Sequence, residues 1–327
     1  MVMERQGNRG NRCMRLASGI LSGVLAGLCT QTAVAELRYE LSIAEDLSSV
    51  SVTASLPDDG RSLRAPDGRS RRLANLTSCA GDAIRPQNGR IPTEAANGCL
   101  NYQYPLSAQS GRRSPPVADD VLVTTPGQWL WLPELRPGER VAINLQVPAG
   151  SAISVPWQPL EANRYELRAS PGSATGTAAF GRFSPLILDV DGGRLQIAAL
   201  DGPDLRLDQQ KLLEWLAVAA ADVAAVGGRF PNPSVQVIVQ PVRSHGRSPV
   251  PFGYVIRDGG EAVRFYVDPD RSIDEYHADW TATHEFAHLL LPYVRSREKW
   301  VSEGFASYYQ NVLLARRGAY AEQEVWM

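Results

Sequence analysis

His284 and His288 stand four residues apart, Glu285 follows the first of them directly, and Glu303 comes later within Trp300-Val301-Ser302-Glu303-Gly304. Positions four apart on an α-helix share a face one turn apart. Both imidazoles can therefore converge on one cation, while Glu285 reaches toward a water held beside it. Glu303 can add a third ligand from a second helix. Three protein ligands with an open fourth position is the arrangement of catalytic zinc, which lowers the pKa of a bound water to about 7. The implied chemistry is hydrolysis with one Zn2+ as cofactor, of peptide bonds before other substrates. A closed structural zinc site asks for four protein ligands, often with Cys, and no fourth stands at ligand spacing. The competing reading is an amphipathic core helix whose histidines make ordinary hydrogen bonds.

The elements that must position these side chains can be read outward from them. Ser272 with Glu275 forms a capping-box pattern, which predicts a helix that starts there and runs to about residue 291, ahead of Pro292. A second helix opens at Ser296 or Arg297 and ends near Gly318. On it Trp300, Val301, Phe305, Ala306, Tyr309 and Val312 are expected to be buried. Glu303 would then lie among apolar neighbours, where a carboxylate needs a partner to offset its desolvation. His277 falls on roughly the same face of the first helix as His284, so it either borders the cleft or packs. Upstream, residues 207–226 carry apolar residues at helical spacing and end in Gly227-Gly228. A strand over 235–239 and a hairpin over 254–267 follow.

The run His284-Glu285-Phe286-Ala287-His288, the later Trp300-Val301-Ser302-Glu303-Gly304, and the stretch from Ser307 to Gly318 together resemble the gluzincin zinc metallopeptidases, and among them most nearly the glycyl aminopeptidase family. The resemblance covers residues 270–322. It implies a thermolysin-like catalytic core and a peptide substrate, with His284, His288 and Glu303 as zinc ligands. It also implies that Glu285 is the general base that deprotonates water and later protonates the leaving amine. Related aminopeptidases carry a Gly-rich, Glu-containing motif upstream. The nearest match is Asp258-Gly259-Gly260-Glu261, which makes Glu261 a candidate for the substrate ammonium, although Asp-Gly-Gly is also ordinary turn chemistry. They place a Tyr or His downstream of the third ligand, against the oxyanion; here the local candidates are Tyr308, Tyr309 and His277. In thermolysin an acid one turn after the ligand Glu orients a histidine, and Ser307 occupies that place, so support for the imidazoles must come from elsewhere.

The rest of the 327-residue chain sets the context. It is 44% hydrophobic with a formal net charge of −2, and it has no basic block of the kind that marks a nucleic-acid partner. Residues 1–35 read as an export signal: Arg5, Arg9, Arg12 and Arg15 precede an uncharged apolar run from Leu16 to Cys29, and Ala33-Val34-Ala35 offers a cleavage site. The expected location is periplasmic or secreted. A retained anchor is the alternative, but the run falls short of the roughly 20 residues a span requires, and no later segment reaches it. The mature chain is thus expected to have no stable membrane span. Cys79 and Cys99 remain as an expected disulfide.

Alternation over 37–56 and strand signals over 121–124, 128–132, 141–147 and 164–167 predict a β-rich amino-terminal domain over 36–203, with two further strands in 183–199. Trp129, Trp131 and Trp157 read as core packing or as an aromatic platform. The fold class is α+β: a β-sandwich-like domain, then a thermolysin-like α/β zinc-peptidase domain over 204–327, expected to be incomplete at its carboxyl end. The functional expectation is an exported, aminopeptidase-like zinc metallopeptidase. The rival is an inactive periplasmic binding or scaffold protein that retains a remnant peptidase domain. Oligomeric state does not follow from the sequence.

Overall fold

Successive side chains of an extended strand point to opposite faces, and that period organises the first half of the molecule. The computed structural model describes residues 37–64, 72–108, 115–169, 176–246, 248–257 and 259–321; the expected export signal and Asp258 lie outside these. The chain begins with β1 (Arg38–Ile43), β2 (Ser49–Ser55), β3 (Leu63–Arg64), β4 (Ala74–Ser78), β5 (Arg90–Ile91) and β6 (Cys99–Pro105). It continues through β7 (Val121–Thr124), α1 (Pro126–Trp129), β8 (Arg140–Gln146), β9 (Ala152–Ser154), β10 (Gln158–Glu161), β11 (Arg164–Arg168) and β12 (Ala178–Gly181). Next come β13 (Pro185–Val190), β14 (Gly193–Ala199), α2 (Gln209–Gly227), β15 (Val235–Pro241), β16 (Phe252–Ile256) and β17 (Ala262–Val267). The helices α3 (Ile273–Ala278), α4 (Thr281–His288) and α5 (Lys299–Arg316) complete it.

A seven-stranded sheet runs in the order β10-β11-β8-β1-β2-β6-β4. Tyr39, Leu41 and Ile43 of β1 and Val50, Val52 and Ala54 of β2 turn inward, while Arg38 and Glu40 face solvent. Trp129, Trp131 and Trp157 lie fully inside this core, with Trp129 edge-on to Trp157 at 6.4 Å. They form no surface platform. Tyr39 Oη donates to the Trp131 carbonyl at 2.7 Å, and Tyr102 Oη to that of Trp129 at 2.9 Å, so these two buried hydroxyls are satisfied. The strand expected over 128–132 is instead the short helix α1 and the segment after it. Pro126 in the first turn suits a helix start, since its missing N–H would have no partner there. A disulfide joins Cys79 to Cys99, with Cα atoms 5.4 Å apart, tying the end of β4 to the start of β6.

In the small sheet β7-β12-β9 the central strand β12 is buried on both faces. Ala178 and Phe180 of β12 pack into the first core, while Ala179 meets Ala198, Leu200 and Ile238 of the next sheet. That next sheet has the order β13-β14-β15-β17-β16. Strands β14, β15 and β17 are parallel neighbours, and antiparallel β13 and β16 close the two edges. The strands expected over 183–199 thus belong to the same sheet as β15, and its hydrogen bonds join segments on either side of residue 203.

Helix α2 starts where Asp208 accepts the Lys211 N–H at 3.1 Å and stops at left-handed Gly228. Its Trp215, Leu216, Ala219, Ala220 and Val223 cover one face of this sheet together with Phe286 of α4. Phe265 of β17 sits between Trp215 at 5.1 Å and Phe286 at 5.9 Å.

The single helix expected from Ser272 to about residue 291 is two helices. Its cap is as the sequence predicts: Ser272 accepts the Glu275 N–H and Glu275 accepts the Ser272 N–H. Asp279 then takes an extended conformation. Its Oδ1 accepts the Thr281 N–H at 2.8 Å, and its Oδ2 accepts from Ser248 Oγ at 2.8 Å. An Asp that caps the next turn offers the backbone an alternative to continuing the helix. Among the described residues no helix is long and apolar enough to cross a membrane.

Candidate metal centre

All eight residues of α4 are buried, from Thr281 to His288. Phe286 anchors it to the sheet, and β16 lies against it at Gly253. A Cβ on Gly253 would sit 2.8 Å from Thr281 Cγ2 and 2.9 Å from Glu285 Cγ, so only a glycine lets strand and helix come this close. Helix α5 packs along α4. Of its eighteen residues only Ala306, Leu313 and Leu314 are buried.

This differs from the expected burial of α5. Trp300 is 76% exposed, Val301 39%, and the Glu303 side chain 41%. Glu303 is not drawn in by apolar surroundings. It lies on the stripe that touches α4, where Glu303, Ala306 and Gln310 follow the three-then-four spacing of one helical face.

The structure brings His284, His288 and Glu303 together, with one ligand atom from each within 4.8 Å of the others. Glu303 Oε2 lies 3.4 Å from His284 Nε2 and 3.7 Å from His288 Nε2, while its Oε1 meets Lys299 Nζ at 3.2 Å. The other nitrogen of each ring is held from α5. His284 Nδ1 is 2.9 Å from Gln310 Oε1, and His288 Nδ1 is 2.9 Å from Ser302 Oγ. An amide oxygen only accepts, so His284 carries its proton on Nδ1 and presents the Nε2 lone pair to the centre. Ser302 and Gln310 thus give the support that Ser307, exposed on α5, does not. The donor set and its orientation fit a zinc ion.

Electrostatics follow from burial. Glu285 is pushed up to about 8, first by burial and then by the charge of Glu303, although Lys299 and the Val255 N–H pull it down. His288 is pushed down to about 4, again first by burial and then by His284. Burial also works to raise Glu303, but its hydrogen bond to Lys299 and the two imidazoles outweigh that and leave it lowered.

The remaining sequence candidates are not among these three grouped residues. Glu261 stands just before β17 with Oε2 3.4 Å from Arg257 Nε, and burial raises its pKa. Tyr308 is 52% exposed and lies five residues from Glu303, about 140° around the helix. His277 belongs to α3 rather than to the His284 helix, and its carbonyl accepts from Arg317 at 2.8 Å. Sequence reasoning did not single out Gly253, Ser302, Gln310 or Arg257. A lone glycine in a strand pattern was a signal for the first, and the stripe through Glu303 for Gln310; Arg257 has no local signature.

No family model matches the chain, and no curated protein sequence does. Its fold has solved counterparts. An aminopeptidase N family protein from Idiomarina loihiensis aligns with a TM-score of 0.63 over 88% of this chain at 13% identity, and the chain spans 56% of that protein's length. An M1 zinc metallopeptidase from Deinococcus radiodurans, in a mutant form bound to a Tyr-Ser-Ala substrate, aligns with a TM-score of 0.47 at 13% identity, covering 89% of this chain and 72% of that one. The mixed sheets and few helices of this chain thus form the fold seen in the aminopeptidase N family protein, over a little more than half of that protein.

Proposed function

We propose that this chain is a zinc-dependent peptidase in which His284, His288 and Glu303 hold one Zn2+ and Glu285 moves the proton. The observation that carries the reading is the convergence of two Nε2 atoms and one carboxylate oxygen beside the buried Glu285. Bound there, zinc would supply Lewis acidity to the scissile carbonyl and to the attacking water. Glu285 takes the proton from that water and returns it to the leaving amine. Its raised proton affinity suits an acid–base group that works near neutral pH. The Val255 N–H holds its carboxylate against β16. Strand β16 ends its sheet, and an extended peptide can be added alongside it.

Within this class we place the chain with aminopeptidase-like enzymes of the glycyl aminopeptidase type. The run from His284 to Gly318 supports this, as does the fold shared with the aminopeptidase N family protein. An aminopeptidase needs an acidic anchor for the substrate ammonium. Glu261, expected in that role, is ion-paired with Arg257. We also place the mature chain in the periplasm or outside the cell. The Arg-rich, apolar first 35 residues and the Cys79–Cys99 disulfide support an oxidising compartment.

The test is zinc stoichiometry together with turnover of aminoacyl-amide and amino-blocked peptide substrates. The wild-type chain should bind zinc near one per chain and hydrolyse peptide bonds, with a preference for free amino termini. Glu285→Gln should lower the rate by about a hundredfold to ten-thousandfold while zinc content stays the same. Undiminished turnover in that variant removes Glu285 from the proton path. A wild-type chain that binds zinc but hydrolyses nothing favours the scaffold reading.

A further inference from the structure

Helix α4 ends at the metal-ligand candidate His288, so the carbonyls of its last turn have no helical partner ahead of them. The turn tightens after it: Leu289, Leu290 and Leu291 donate to the carbonyls three residues back, at 3.0, 3.1 and 3.2 Å. Leu289 is buried at 4% exposure and Leu290 and Leu291 are half-buried, so the carbonyls here gain from a donor supplied by the protein.

Arg257 adds such donors. It lies just past β16, and its side chain is 13% exposed. Nη1 donates to the Leu291 carbonyl at 2.5 Å, and Nη2 donates to the carbonyl of His288 itself. Nε faces Glu261 Oε2 at 3.4 Å, across the turn that joins β16 to β17. A cation at a helix C-terminus is favoured by the helix dipole, and the planar guanidinium spans two carbonyls and a carboxylate at once. His288 is thus held at two points, by Arg257 at its backbone and by Ser302 at its ring.

We infer that Arg257 is a positioning residue for the metal centre and that Glu261 serves to orient Arg257, an inference that rests on the zinc reading above. Glu261 and Arg257 then act on the metal centre from behind, through the backbone of one candidate ligand, and the edge strand β16 is coupled to that ligand. The approach is tight just before Glu261: a Cβ on Gly260 would fall 1.7 Å from the Pro156 carbonyl oxygen, so only a glycine lets the chain pass Pro156 here.

The experiment measures the zinc dissociation constant of the full chain by chelator competition, and the visible absorption of the Co2+-substituted protein, for wild type, Arg257→Ala, Arg257→Lys and Glu261→Gln. Arg257→Ala should weaken zinc binding about tenfold to a hundredfold and alter the Co2+ spectrum, as losing a group that orients a ligand commonly does. Arg257→Lys should recover part of the loss, and Glu261→Gln should cost less than Arg257→Ala. Arg61→Ala is the control for general destabilisation, because Arg61 pairs with Asp59 and Glu139 in the amino-terminal region. It should lower the melting temperature and leave the zinc constant unchanged. An unchanged zinc constant in Arg257→Ala, or an equal loss in Arg61→Ala, overturns the inference alone. A wild-type chain that takes up no zinc overturns the zinc reading, and the inference with it.

Discussion

Helices α4 and α5 both bring candidate metal ligands together, yet the protein holds them in opposite ways. Every residue of α4 is buried, and Phe286 locks it against Phe265 and Phe230. Helix α5 buries three of its eighteen residues and leaves Trp300 and Tyr308 exposed. The positions of the two histidines are therefore a consequence of core packing. Glu303 depends on a narrow stripe, on Lys299, and on the contacts that Ser302 and Gln310 make with the imidazoles. One helix is held by core packing along its whole length, and the other by three buried apolar residues and a few directed polar contacts that also serve the site.

That contrast can be broken by substitution. The largest effect is expected on α4, where Phe286→Ala should cost about 3–5 kcal/mol of folding stability. Urea denaturation of the metal-free chain would show it, and a cost under about 1 kcal/mol, the scale of a surface change, would mean that α4 is not core-locked. Next is Gln310→Ala on α5. It should weaken zinc about tenfold to a hundredfold by chelator competition, with little change in the denaturation midpoint. A stability loss as large as that of Phe286→Ala would erase the distinction between the helices. Smallest is Trp300→Ala, expected within about 0.5 kcal/mol of wild type in stability. A larger loss would show that the exposed face of α5 is covered in solution.

The parts that were legible in the sequence share a cause. The His284–His288 pair, the Ser272–Glu275 capping box, the end of α2 at Gly227-Gly228 and the alternation through β1 and β2 all depend on residues close together in one element. The misreadings have a cause as well. Asp279 is a residue that caps helices, but inside a long helical pattern its side-chain hydrogen bond to Thr281 could not be weighed against continuation. The α5 segment is apolar on several faces, and such a pattern does not say which face meets a neighbour. Gln310 and Ser302 gain meaning only once α4 lies beside them, and Arg257 only once the β16–β17 turn reaches the end of α4.

The sequence by itself determined which side chains could act together within one turn of helix or across one strand, because the rise and twist of those elements are set by backbone geometry. The tertiary structure alone decided which helix was buried, which nitrogen of each imidazole faced inward, and that Glu261 turned toward Arg257. Those outcomes depend on packing between segments distant in the chain, and no local spacing encodes how two such surfaces meet.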